Sequence, residues 1–222
     1  MPRRNQKTEF AVIGLGRFGS SLALELVSRG YTVLGIDHNR ELVQSLADDL
    51  TQVVALDSTD EDALRAVDIT SFDAVVVAIG SSLENNLMTT LSLKNLGVRH
   101  VICKAQNEKQ RTALLSVGAN EVVLPEQESA HRLAYTLTMP LYIGQIPLGD
   151  QFSITELKLP PSFAGRTLRD LDLRNRFGVT VVAVERQDEV VLSPPADLVF
   201  QEGDELAVLC TNEQVERLAE LG

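Results

Sequence analysis

Gly14, Gly16 and Gly19, spaced as G-x-G-x-x-G with Leu15, Arg17 and Phe18 between them, carry the clearest chemical signal in this 222-residue chain. They follow an apolar run, Phe10 to Ile13, and lead into a helical pattern with Leu22, Leu26 and Val27 at i, i+4 and i+5. A second apolar run, Thr32 to Ile36, ends on Asp37, 18 residues past Gly19. Strand, glycine loop, helix, strand and acid in this order form the arrangement that holds a nucleotide by its phosphates. Gly14 permits the tight turn, Gly16 lets a phosphate approach the backbone, and Gly19 lets the helix lie close to the strand. The helix N-terminus adds free N–H groups and the positive end of its dipole. Asp37 is placed to accept from ribose hydroxyls, and because His38 and Asn39 follow it rather than an arginine, a free 2′-OH is the expected partner.

Arg17 is unusual inside such a loop. A guanidinium there offers bidentate recognition of phosphate beyond what backbone N–H groups supply, which suits a ligand ending in extra phosphate charge. The alternative is a solvated arginine at a helix start, where it opposes the dipole. Asp57, Ser58 and Thr59 close the third apolar run, Val53 to Leu56, at the edge where ligands bind such sheets. The same segment also reads as a cap for the next helix, with Ser58 and Glu61 as a capping box. Glu126, after Pro125 at the end of a later run, is either a surface acid or a metal ligand facing phosphates. His38, His100 and His131 are the only histidines, and none has a partner pattern for acid–base work. Tyr-x-x-x-Lys in its usual position, G-x-S-x-G and paired metal ligands are all missing. A dinucleotide-type fold without a catalytic set points to sensing.

Further apolar and helical runs must position these residues. Helices are expected over 39–50, from Ser58 to Val67, 83–96, 108–117 and 128–139, with strands over 53–56, 74–79, 100–103 and 121–124. The run Ala74-Val-Val-Val-Ala78-Ile79 is the signature of a strand covered on both faces. This alternation predicts an α/β, Rossmann-like doubly wound parallel sheet in the order 3-2-1-4-5-6, followed by a smaller α+β C-terminal domain. The expected division is a flexible basic tail at 1–8, a nucleotide-binding domain at 9–140, a linker at 141–150 and the small domain at 151–222. In the small domain strands are expected at 152–159, 179–184, 190–192 and 205–209, with helices near 168–175 and 213–221. Ala130, Leu133, Ala134 and Leu137 share one face of the 128–139 helix, and with Leu141, Tyr142 and Ile143 they exceed what two small domains need to cover. A second subunit is therefore expected there.

Composition sets the outer limits. At 44% hydrophobic and 23% charged residues the chain has the balance of a soluble globular protein. No apolar run reaches the roughly 18 residues of a spanning helix. A net charge of −11 argues against nucleic acid as the main partner. Cys103 and Cys210, in apolar strand-like runs, are expected as buried reduced thiols of a cytosolic protein.

Taken together, Gly14-Leu15-Gly16-Arg17-Phe18-Gly19, Asp37, Leu56-Asp57-Ser58-Thr59-Asp60, Lys104-Ala105-Gln106-Asn107 and Pro125-Glu126 closely resemble the RCK (KTN, or TrkA-N) family of cytosolic regulators of bacterial Trk/Ktr-type potassium uptake. Gly165-Arg166-Thr167-Leu168, Asn175-Arg176-Phe177-Gly178 and Leu192-Ser193-Pro194 resemble its C-terminal, TrkA-C half. One N-domain with one C-domain is similar to the Ktr regulatory subunit. The resemblance implies ATP or ADP, with NAD(H) as another occupant, held by Gly14, Gly16, Arg17, Phe18, Gly19, Asp37, Asp57, Ser58, Thr59, Ala78, Lys104 and Glu126. Glu126 would help hold Mg2+ or another cation near the phosphates. It further implies a homo-oligomeric ring, commonly an octamer built from dimers, on a separate integral-membrane potassium-transporting subunit, with no catalysis. The chain would then be cytoplasmic and peripheral on the inner face of the membrane. Cyclic di-AMP is implied as a second ligand near Leu168, Arg174, Asn175 and Pro194, where Arg174 otherwise reads as structural. Leu56 stands where many members of the family have glycine, and Leu124 where some have histidine. The rival readings are a regulator of a different cation transporter or antiporter, and a small NAD-dependent oxidoreductase.

Overall fold

A computed structural model describes residues 8–149, 151–187 and 189–219, which divide into two compact units at Gln127/Glu128. In the first unit strands and helices alternate: β1 (Glu9–Ile13), α1 (Arg17–Ser28), β2 (Thr32–Asp37), α2 (Arg40–Ser45), β3 (Gln52–Ala55), α3 (Glu61–Ala66), β4 (Ala74–Val77), α4 (Leu83–Asn95), β5 (Val101–Lys104), α5 (Glu108–Ser116) and β6 (Glu121–Val123). All pair in parallel in the order β3-β2-β1-β4-β5-β6, as the alternation predicts. The order reverses between β1 and β4, which leaves a crevice at the C-terminal strand ends beside the glycine loop. β4 is buried at all four positions because helices cover both sheet faces. One core layer is built from Ile13, Ile36, Val75, Val77 and Val101, and the other from Val12, Leu15, Ala23 and Val33. Alternate residues of β1 thus feed opposite layers.

The second unit contains an antiparallel sheet ordered β10-β9-β11-β8-β7. After α6 (Pro125–Thr138), which begins at the boundary, come β7 (Tyr142–Leu148), β8 (Phe152–Lys158), α7 (Leu168–Leu171), α8 (Leu173–Phe177), β9 (Thr180–Arg186), β10 (Glu189–Leu192), β11 (Glu205–Cys210) and α9 (Asn212–Ala219). Its core gathers Leu157, Leu171, Phe200, Leu206 and Val215.

Five expectations need correction. Residues 141–150 are not a linker: Tyr142–Leu148 pair antiparallel with Phe152–Leu157. Pro147 suggests a break in the sequence, but an edge strand tolerates a residue without an N–H. The 128–139 helix belongs with the second unit, whose core takes in Tyr135 and Met139, so the 140/141 boundary moves to 127/128. Ser58 does not open a capping box; Asp60 caps α3 by accepting from the Asp62 N–H at 2.9 Å. The helix expected over 39–50 stops at Ser45, and the one near 168–175 breaks into α7 and α8 at Asp172, whose φ of 45° is left-handed. The expected tail at 1–8 lies outside the described residues, apart from Thr8.

Candidate nucleotide-binding site

The glycine loop is built by close approach. Gly14 has a φ of +94°, and its N–H donates to the Ile36 carbonyl at 2.7 Å. A Cβ on Gly19 would stand 1.8 Å from the Gly14 carbonyl oxygen, so α1 can lie against the loop only with glycine there. Gly16 is different: a Cβ there would meet nothing within 4 Å. It is the N-cap of α1, makes no side-chain cap, and no acidic residue occupies the first turn. The first N–H groups of α1 therefore face a cleft with no side-chain acceptor and no first-turn carboxylate to offset the positive end of the dipole.

That cleft encloses about 460 Å³ and is lined by eleven of the twelve residues the sequence singles out, Gly14, Gly16, Arg17, Phe18, Asp37, Asp57, Ser58, Thr59, Ala78, Lys104 and Glu126. Gly19 does not line it and acts by packing. His38, Asn39, Leu42, the Ile79-Gly80-Ser81 loop and Asn85 complete the wall. The sequence signal for His38, Asn39 and the 79–81 loop was only their position after strand ends, while Leu42 and Asn85 lie within α2 and α4.

Asp37 does more than wait for a ribose. Its Oδ2 accepts the Leu15 N–H at 2.7 Å and its Oδ1 the Asn39 N–H at 2.8 Å, so the acid ties the end of β2 to the glycine loop. His38 Nδ1 lies 3.2 Å from Oδ1. An ionised carboxylate offers about four lone-pair directions, which leaves capacity for a hydroxyl. Asp57 Oδ1 accepts from the Thr59 hydroxyl at 2.7 Å and the Thr59 N–H at 2.9 Å, which hold its carboxyl below the ordinary value. Ser58 is buried and shares a hydrogen bond with Thr89 Oγ1 at 2.9 Å.

Opposite the loop, Lys104 runs nearly buried past Phe18, its ammonium 5.6 Å from the ring centroid, and ends 2.5 Å from Glu126 Oε1. The hydrogen bond from Lys104 holds the Glu126 carboxyl below its usual value, aided by the Arg17 charge. Glu126 sits in the first turn of α6 rather than at a strand end. Its cation in this structure is Lys104. Among the described residues no group of three or more His, Cys, Asp or Glu is gathered for a metal. Mg2+ commonly takes one or two carboxylates plus phosphate oxygens, so Glu126 fits as a single protein ligand.

The second expected set belongs to the C-terminal unit. Pro194 is buried, Leu168 half-buried, and Arg174 and Asn175 are exposed, with Asn175 Nδ2 donating to Asp172 at 2.8 Å. Cys103 and Cys210 are buried free thiols; burial pushes Cys103 up to about 11, against a hydrogen bond with Thr90, and raises Cys210 as well. Both stay protonated and unreactive at neutral pH.

A doubly wound sheet with this loop, joined to a small antiparallel domain, defines a two-domain nucleotide-fold protein. Family models show which: the TrkA-N domain matches residues 10–125 and the TrkA-C domain residues 154–221, and the chain belongs to this TrkA-N/TrkA-C family. It is 38% identical over 203 residues to the Ktr system potassium uptake protein C of Bacillus subtilis (strain 168), covering 91% of this chain and 92% of that protein. It is also 33% identical over 219 residues to the Ktr system potassium uptake protein A of the same organism, covering 99% of each. Among solved structures the GsuK channel aligns with a TM-score of 0.69 at 21% identity, over the whole of this chain and 40% of that one, a likeness of fold. Among the described residues no helix is long and apolar enough to cross a membrane.

Proposed function

We propose that this chain is the nucleotide-sensing regulatory subunit of a bacterial potassium uptake system. It binds ADP or ATP at the glycine loop and passes the occupancy to a separate integral-membrane, potassium-transporting subunit. It performs no catalysis. The observation that carries this reading is an α1 N-terminus with no side-chain cap and no acid in its first turn, sharing one cleft with two cations, Arg17 and Lys104. The kinship with the Ktr proteins supports the potassium assignment. The protein works at the cytoplasmic face as a homo-oligomeric ring, built from dimers into an octamer. NAD(H) is the other ligand the loop suits.

A ligand moves a conformational equilibrium only by its differential affinity for the two states. ADP and ATP share everything the glycine loop and Asp37 address, so discrimination falls to groups meeting the last phosphate. Arg17 is exposed and is the leading one. A charge-assisted contact is worth about 10- to 150-fold in affinity. Coupled subunits multiply that bias, a physical reason for a ring. Calorimetric titration of Arg17→Gln should leave ADP binding near that of the parent and weaken ATP binding selectively, with loss of ATP-dependent activation in reconstituted transport. Equal losses for both nucleotides would reduce Arg17 to a support of the loop and sink the proposed switch.

A further inference from the structure

The cleft's far wall is held by a residue that does not line it. The β4–β5 ladder ends at the pair Val77 and Cys103. Just beyond it, Asn86 of α4, 2% exposed, donates from Nδ2 to the Ile79 carbonyl and to the Lys104 carbonyl, each at 2.9 Å. Two carbonyl partners require the NH2 end of the amide, which settles its orientation. The Asn86 Oδ1 is buried and meets no donor among the described residues. The amide thus satisfies two carbonyls at the ends of β4 and β5 and leaves one buried acceptor of its own unpaired.

What the clamp holds is the base of Lys104. The lysine side chain is confined between the Phe18 ring and Gly80, where a Cβ would come within 3.6 Å of Nζ. A confined side chain transmits a shift of its backbone to its ammonium. The same face of α4 carries two more ties, one turn apart: Thr89 to Ser58, and Ser92, which donates to the Thr59 carbonyl at 3.2 Å. Those reach the opposite wall of the cleft.

We propose that Asn86 is a positioning residue for phosphate recognition: by clamping the carbonyls of Ile79 and Lys104 together, it sets where the Lys104 ammonium stands in the cleft. This rests on the reading of the cleft as a site for a phosphate-bearing nucleotide. Asn86 acts through Lys104, so its removal should cost the ligand its outer phosphates' partner and leave the inner contacts alone.

The test compares AMP and ATP binding, by calorimetry, in the parent, Asn86→Leu, Lys104→Met and the double variant. In Asn86→Leu the ratio of ATP to AMP affinity should fall about tenfold, the loss of one charge-assisted contact at its lower bound. In the Lys104→Met background the same substitution should leave that ratio unchanged. Should Asn86→Leu fail to fold, Asn86→Ala, smaller and uncharged, removes the donor and carries the same comparison. If AMP and ATP weaken equally, or the ratio falls as far without Lys104 as with it, Asn86 is only structural and the inference is overturned. A parent that binds neither nucleotide overturns the nucleotide reading itself, and this inference with it.

Discussion

Removing Asp37 should destabilise the N-terminal unit even with no nucleotide present. The Leu15 N–H, on a residue 1% exposed, has Asp37 Oδ2 as its acceptor at 2.7 Å. Asp37→Ala deletes that acceptor and leaves a buried donor unpaired, at a cost of about 1–3 kcal/mol. The second bond, from the exposed Asn39 N–H, is replaceable by water and adds little. Asp37→Asn keeps one acceptor oxygen but turns an NH2 toward one of the two N–H groups, so it should rescue only part of the loss. The assay is urea unfolding of ligand-free protein, followed by a probe in the N-terminal unit, with nucleotide affinity measured separately. Asp37→Ala should lower stability by about 1–3 kcal/mol and also weaken nucleotide binding, because the loop is no longer held. A variant as stable as the parent, with only binding lost, would refute the reasoning: Asp37 would then be a ligand contact and not a brace.

Three further outcomes are expected. Glu126→Gln should abolish the magnesium dependence of ATP binding and, by releasing Lys104 from its ion pair, strengthen ATP binding in magnesium-free buffer; an unchanged magnesium response would make Glu126 a surface acid. In the C-terminal unit, Arg186 grips the buried Asp204 through Nε and Nη2, both at 2.7 Å, and the Gln201 N–H adds a third bond at 2.8 Å; because the Arg186 side chain is partly exposed and can be resolvated, Asp204→Ala should cost about 1–3 kcal/mol in urea unfolding. Burial alone would raise the Asp204 carboxyl, but Arg186 and Gln201 more than offset it and hold it below its ordinary value; the gap between parent and variant should thus be full above about pH 4 and close as pH falls through the depressed folded value. Leu133 and Leu137, one turn apart on α6, are 58% and 75% exposed, and light scattering should find an oligomer at micromolar concentration that Leu137→Asp weakens; a stable monomer would remove the oligomer reading.

Much of this protein was legible in order along the chain. Local signals with a fixed period or spacing carry their own meaning: the glycine loop, the apolar run of β4 and the strict alternation of strand and helix predict the sheet order found, because parallel strands need crossover helices and those crossovers have one hand. Which strand ends would face one another followed from the same rule, and eleven of the residues named from residue type or from the family resemblance do line one cleft. What the chain could not disclose were pairings between segments far apart in sequence. Asp37 reads as a ribose acceptor, yet its carboxylate is shared with the backbone of Leu15, 22 residues away. Glu126 reads as a metal ligand, but tertiary folding sets a lysine beside it first. Pro147 and Gly149 read as a linker because a proline breaks most structure, whereas an edge strand of an antiparallel sheet does not need the missing N–H. Asn86 and Thr89 look out of place on a helix that must bury one face, and their use appears only when β3, β4 and β5 end around them. Periodicity reports which side of an element is buried. It does not report which partner the burial supplies, and for polar groups the partner decides what the residue does.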